Sequence, residues 1–186
     1  MGTLSYAATI SLDGYIADGK DDIQWAPPND DVFVLHLQRL ANVSTSIVGR
    51  RTYGRMQHWE TTPDEAEAST AELEFAQRWQ AIEKVVVSSS LAARQLRSDR
   101  ARLLRELGLA DIRRILSATD GVVEIFGPTL ASEALRAGMV DRFEFIVLPL
   151  VMGSGRRALP EGAYRKLKLS QRCMLINGAV YLQYMR

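Results

Sequence analysis

At 186 residues, 47% hydrophobic and 24% charged, the chain is sized for one domain with a full core and has the makeup of an ordinary globular protein. A formal net charge of +1 gives no general attraction to nucleic acid or to an anionic membrane, so any phosphate site has to be local. The one cysteine, Cys173, forbids an intrachain disulfide, and with His36 and His58 it shows no ligand spacing that would suit structural zinc.

Leu4 to Ile10 is short, apolar and β-prone, which predicts a buried first strand. It runs into Ser11-Leu12-Asp13-Gly14-Tyr15-Ile16-Ala17, where Asp13-Gly14 and the later Asp18-Gly19 are turn dipeptides that predict a compact, ordered loop. Trp25 precedes Pro27-Pro28, which no helix interior accommodates, and Asn29 or Asp30 is placed to cap the next helix. Phe33, Leu37 and Leu40 then fall on one helical face. Ser44 to Val48 is the second strand, followed by a glycine-rich turn from Gly49 to Gly54.

Thr62-Pro63-Asp64-Glu65 carries a helix-start signature, with the helix interrupted near Ser69-Thr70 and Phe75, Trp79 and Ile82 packing on one side. Val85 to Val87 is a buried strand ending on Ser88-Ser89-Ser90. The stretch from 91 to 120 holds seven arginines, read as a solvated, ion-paired face with phosphate steering as the alternative. Helix is expected from Ala110 to Ala118, with Ile112, Ile115 and Leu116 inward. Val122 to Ile125, Gly127-Pro128 and an amphipathic run to Gly138 read as strand, tight turn and helix. Arg142 to Leu148 is another apolar strand, and Asn177-Gly178 between apolar runs is a strong hairpin signal. Alternating strands and helices up to 148, then strands alone, predict a mostly parallel sheet with helices on both faces and a C-terminal antiparallel edge. No repeat, low-complexity tract or linker divides the chain, so one domain over residues 1–186 is expected.

In an open parallel sheet, ligands bind past the carboxyl ends of the strands. Polar or glycine-rich segments follow four of the strands: Ser11 to Gly19, Gly49 to Gly54, Ser88 to Ser90, and Gly127 to Thr129. Gly49 permits close backbone approach, Arg50 and Arg51 offer guanidiniums, and Thr52 a hydroxyl. Ser88 and Ser89 add short hydroxyl donors, and Gly127, Pro128, Thr129 and Leu130 form the strand-to-helix turn whose free N–H groups favour an anion. Each is also ordinary turn chemistry, but their recurrence suits a dinucleotide with a pyrophosphate and a 2′-phosphate. No GxGxxG follows the first strand, and neither a P-loop nor a GxSxG elbow is present. His36 reads as a packed or surface histidine and His58 as incidental. Asp30 and Asp31 open a helix; capping explains one, and the other is a candidate acid that donates a proton in a reduction.

Taken together, SLDGYIA, GRRTY, VVVSSS and the string from Gly127 through ALRAGMVDRFEF to LPLVMGSG resemble the dihydrofolate reductase fold, in particular the reductase domain of the riboflavin-biosynthesis deaminase-reductases and its free-standing relatives. The resemblance covers nearly the whole chain. It implies a three-layer α/β fold, NADPH, hydride transfer to a small heterocycle, and a homodimer. It also implies that Leu12, Asp13 and Gly14 cover the nicotinamide, that Gly49, Arg50, Arg51 and Thr52 hold cofactor phosphates, that Ser88 and Ser89 bind the adenosine ribose and 2′-phosphate, and that Gly127 to Leu130 lie along the pyrophosphate. The chain departs from the family at Phe126, where a glycine pair is usual; a bulky side chain there narrows the pyrophosphate channel and makes a cis bond costlier. Reduction of a pyrimidine riboflavin precursor is one rival, and a non-catalytic nucleotide-binding sensor or sequestration module is the rival from another class. With no signal-peptide pattern and no transmembrane-length run, a cytoplasmic location is expected.

Overall fold

The computed structural model describes residues 1–20, 30–64 and 66–186, with the side chains of 30 and 31 outside the description. Trp25, Pro27, Pro28 and Asn29 therefore lie outside the described residues. Strand β1 (Thr3–Ser11) runs the length of the predicted first strand and leads into a short β2 (Tyr15–Ala17). Next come α1 (Asp30–Leu40), β3 (Val43–Gly49), α2 (Arg50–Met56), α3 (Thr70–Ala81), β4 (Glu83–Val87) and β5 (Ala101–Leu104). Helix α4 (Leu109–Ala118), β6 (Val122–Ile125), α5 (Pro128–Arg136), β7 (Arg142–Leu148), β8 (Arg156–Arg157), β9 (Lys168–Met174) and β10 (Val180–Met185) complete the chain.

Eight strands form one sheet in the order β5-β4-β3-β6-β1-β7-β10-β9. From β5 through β7 every neighbouring pair is parallel. The β9–β10 hairpin adds the antiparallel edge, turning at Asn177-Gly178, where Gly178 has φ +81° and donates to the Leu175 carbonyl. This is the mixed, mostly parallel α/β sheet that the strand–helix alternation implies.

Strand period two sends alternate residues to opposite faces. Leu4, Tyr6, Ile47, Val85, Val123, Ile125, Phe143 and Phe145 pack on one face with Ile112, Ile115 and Leu116 of α4 and Ala131, Ala134 and Leu135 of α5. The other face meets α1 and α3 through Val48, Val86, Leu37, Leu40, Phe75 and Trp79. It also buries Ser5, Ser46, Lys84, Glu124 and Glu144.

Three local expectations are corrected. The helix predicted from Thr62 begins at Thr70, because the Ser69 hydroxyl accepts the Glu72 N–H while Glu72 accepts the Ser69 N–H. Asp64 instead accepts the Ala66 N–H and holds its own segment in a turn. The segment from Gly49 to Gly54 is helical from Arg50 on, anchored by Tyr53, which is 1% exposed and whose hydroxyl oxygen accepts the Arg97 N–H. Within the arginine-rich stretch, Ala101–Leu104 forms strand β5 beside β4, where charge masks the strand pattern.

Candidate active site

Two cavities open near the carboxyl ends of the parallel strands, and α2 separates them. Arg50, Tyr53 and Gly54 of this helix, with Gln57 just after it, face the first, a basic cavity of about 360 Å³ that Arg94 and Arg97 complete. Thr52, Arg55 and Met56 face the second, an apolar cavity of about 540 Å³ lined by Phe33, Trp59, Phe75 and Phe126 among others. The second has the size and makeup of a small-molecule site.

The loop after β1 is built around Asp13. Its carboxylate accepts the Ser11 hydroxyl at 2.6 Å and the N–H groups of Met152 and Gly153 at 3.0 and 2.7 Å. Hydrogen bonding, from Met152 first and then Ser11, holds the Asp13 carboxyl down at about 2. Leu12 is 66% exposed and donates its N–H to Leu150, and Gly14, at φ +87°, accepts from Ala158. The turn is thus stapled to the segment between β7 and β8 through Leu12 and Asp13, and to Ala158, just after β8, through Gly14.

After β3, Gly49 lies against α5: a Cβ there meets the Leu130 side chain at 3.5 Å. Arg50 donates to the Ser90 hydroxyl at 3.1 Å and leaves the remainder of its guanidinium facing the basic cavity. Arg51 is exposed and Thr52 half-buried. After β4, the buried Ser88 oxygen accepts the Leu91 N–H at 3.0 Å and the Ser90 N–H at 3.3 Å, whereas Ser89 is exposed. Gly127 has φ +86° and ψ 138°, a conformation that strains any L side chain, and nothing lies within 4 Å of where its Cβ would be. Pro128 opens α5 with Thr129 and Leu130 in its first turn, whose N–H groups have no partner inside the helix. Open space before a glycine and a helix N-terminus is a cradle that fits a phosphate group.

Asp30 and Asp31 open α1, but their side chains lie outside the described residues. The peptide bonds of the described residues are trans, that after Phe126 included. Phe126 turns its ring into the apolar cavity beneath Arg39, whose guanidinium carbon is 5.2 Å from the ring centroid.

The sequence reading passed over a polar group at the inner wall of the apolar cavity. Arg39 bonds to Glu124 and to His36 Nδ1. Glu124 is fully buried, which pushes its carboxyl up to about 7 against the pull of Arg39, and its Oε2 has no partner. Burial and then Arg39 push His36 down to about 3, leaving it neutral and packed, as expected. Glu144 accepts the hydroxyls of Ser5 and Tyr181 at 3.0 and 2.6 Å. Polar residues inside otherwise apolar strands were the available signal: Ser5 in the first strand, Glu124 among Val122, Val123 and Ile125, and Glu144 between Phe143 and Phe145. In the arginine-rich stretch Arg100 and Arg114 pair with Glu83 and Asp111, as expected of a solvated face, while Arg94 and Arg97 line the basic cavity. His58, expected to be incidental, lines the apolar cavity, its ring centroid 4.4 Å from that of Trp59 with the two rings tilted by 44°.

Residues 3–181 match the family model of the RibD C-terminal domain. No curated protein matches the chain. Among solved structures, a Shewanella sp. PV-4 protein described as a riboflavin biosynthesis protein aligns at 19% identity and TM-score 0.73, over 99% of this chain and 98% of that one. Acinetobacter baumannii RibD aligns at 16% identity and TM-score 0.72, over 100% of this chain and 58% of its own. Dihydrofolate reductase from Enterococcus faecalis, complexed with NADP(H), aligns at 14% identity and TM-score 0.62, over 99% of this chain and 96% of its own.

Proposed function

The chain belongs to the RibD C-terminal domain family, and from that premise we propose that it is an NADPH-dependent reductase of a small heterocyclic compound. The observation that carries the proposal is the pairing of a basic and an apolar cavity across α2, with the Gly127 turn lining the apolar one. Arg50, Arg94 and Arg97 would hold the 2′-phosphate end of the cofactor by charge-assisted hydrogen bonds. The N–H groups at the start of α5 would hold the pyrophosphate, and Gly127 leaves its backbone open to close approach. NADPH, when bound, supplies the hydride. Leu12 to Gly14, stapled through Asp13, would cover the nicotinamide and exclude water. Phe33, Trp59 and Phe126 would present flat apolar surfaces to a planar ring, and Asp30 or Asp31 would orient it or pass it a proton. That the Enterococcus dihydrofolate reductase, which shares the fold, is complexed with NADP(H) supports this reading.

A second reading, a nucleotide-binding module without turnover, is favoured by Phe126, whose ring takes up space beside Gly127. Titration of NADPH and NADH separates the possibilities from absence of binding. Micromolar NADPH affinity, NADH much weaker, and roughly tenfold weaker NADPH binding in Arg50→Ala are expected. Equal affinity of the variant removes Arg50 from the site. NADPH oxidation with any heterocyclic acceptor then decides for the enzyme. A homodimer in the cytoplasm completes the proposal; the exposed edge strand β9, with Leu169 and Met174 on its surface, supports self-association, which sedimentation checks.

A further inference from the structure

Resting on the reductase reading, we propose that Glu144 is the specificity-determining residue of the apolar cavity, accepting N–H donors from an amino-bearing, amidine-like edge of a planar substrate. Glu144 lies on β7, its side chain on the α1 face of the sheet, 5% exposed, and it lines the cavity. Its two oxygens take one hydroxyl each, from Ser5 and Tyr181. A carboxylate offers about four acceptor positions, so roughly half remain for a ligand.

What Glu144 lacks is a cation. Among the described residues no Lys, Arg or His nitrogen pairs with it. Of the two arginines that line the cavity, Arg39 is bound to Glu124 and His36 and lies over Phe126, and Arg55 is exposed. Arg142, two residues earlier on β7, is near enough to act on Tyr181 electrostatically, but its buried Nε has no partner. A buried carboxylate without a cation is costly unless something else compensates it. A ligand with a positive or N–H-rich edge supplies that compensation in the cavity itself. The aromatic walls select a flat ring. With Arg39 committed to Glu124, the unpaired Glu144 disfavours an anionic edge beside it.

The test compares benzamidine, a flat amidinium, with its neutral isostere benzamide, by calorimetry on the full chain with and without NADPH. Wild-type protein is expected to prefer benzamidine by about tenfold or more, the worth of one charge-assisted hydrogen-bond pair. Glu144→Gln keeps the shape and is expected to bring the two ligands within about twofold. Equal binding of the two to wild type, or an unchanged preference in the variant, overturns the proposal. The wild-type comparison does not depend on the variant folding, and Tyr181→Phe, which leaves the carboxylate in place, is expected to retain the preference. Failure of NADPH to bind strikes the reductase reading alone, since the benzamidine comparison is also made without it.

Discussion

The two faces of the central sheet are built from the same strands and do different work. Toward α4 and α5, β1, β3, β6 and β7 present Leu4, Tyr6, Ile47, Val123, Ile125, Phe143 and Phe145, a closed apolar layer. Toward α1 and α3, the same four strands present Ser5, Ser46, Glu124 and Glu144, and a cavity of about 540 Å³ is left between sheet and helix. One face is filled with side chains that need no partners, save the Tyr6 hydroxyl, which donates to the Ala158 carbonyl at 2.7 Å, and close apolar packing is how interiors gain stability. The other holds polar groups whose burial costs free energy, including a Glu124 oxygen and the Ser46 hydroxyl with no partner. Stability and ligand chemistry are thus divided by strand alternation, residue by residue.

Breaking the apolar face has the largest expected effect. Ile125→Ala removes a side chain that is 0% exposed and is expected to cost about 2–5 kcal/mol in chemical denaturation. NADPH affinity of the folded fraction should stay within about twofold, since the residue points away from both cavities. Breaking the polar face at its ion pair comes next. Arg39→Met leaves Glu124 buried and unpaired, with an expected loss of up to about 3–5 kcal/mol, less if Glu124 takes up a proton. Glu124→Leu added to it should restore most of that loss.

The same pair carries a pH signature. The Glu124 carboxyl titrates near 7 when folded against a reference of 4.5. The folded state therefore binds the extra proton, and the contribution of Glu124 to stability is full below 4.5 and lost as pH rises through 7. Melting temperatures measured from pH 5 to 7.5 should fall with rising pH by less in Glu124→Gln than in wild type; parallel profiles would show that Glu124 does not titrate there.

A smaller effect is expected at the loop that joins the site to the segment after β7. Asp13→Asn cannot accept the Met152 and Gly153 N–H groups as a charged partner does, so amide exchange at these two positions should quicken and NADPH should bind more weakly. Because hydrogen bonding holds Asp13 down at about 2 against 3.8 unfolded, its contribution is present above 3.8 and lost as pH falls through 2. The smallest effect belongs to neither face: Arg113→Ala, at an exposed position of α4, is expected to change stability by no more than about 0.5 kcal/mol.

Much of this architecture is written in local patterns. The apolar runs at Leu4 to Ile10 and Arg142 to Leu148, the helical spacing of Ile112, Ile115 and Leu116, and Asn177-Gly178 each specify their element without help from the rest of the chain. Gly127-Pro128 specifies its turn in the same way, because only glycine accepts that backbone and proline suits the first helical position. Where two local signals compete, sequence is a weaker guide. Thr62-Pro63-Asp64-Glu65 and Ser69 with Glu72 both spell a helix start, and the second wins while Asp64 folds its own segment into a turn.

Sequence by itself determined the alternation of strands and helices, the polar and glycine-rich segments that close the strands, and the family to which these residues point. Those properties depend on neighbours within a few positions, where backbone preference and hydrophobic period act. Only the tertiary structure decided that Arg94 and Arg97 join Arg50, and that Arg39 on α1 meets Glu124 on β6. The same holds for Glu144 on β7, which receives its hydrogen bonds from Ser5 on β1 and Tyr181 on β10. These partners are up to 139 residues apart in the chain. Whether a charged side chain is a solvated ornament or part of a site depends on which strand lies beside it, and strand order is set by the packing of the whole sheet.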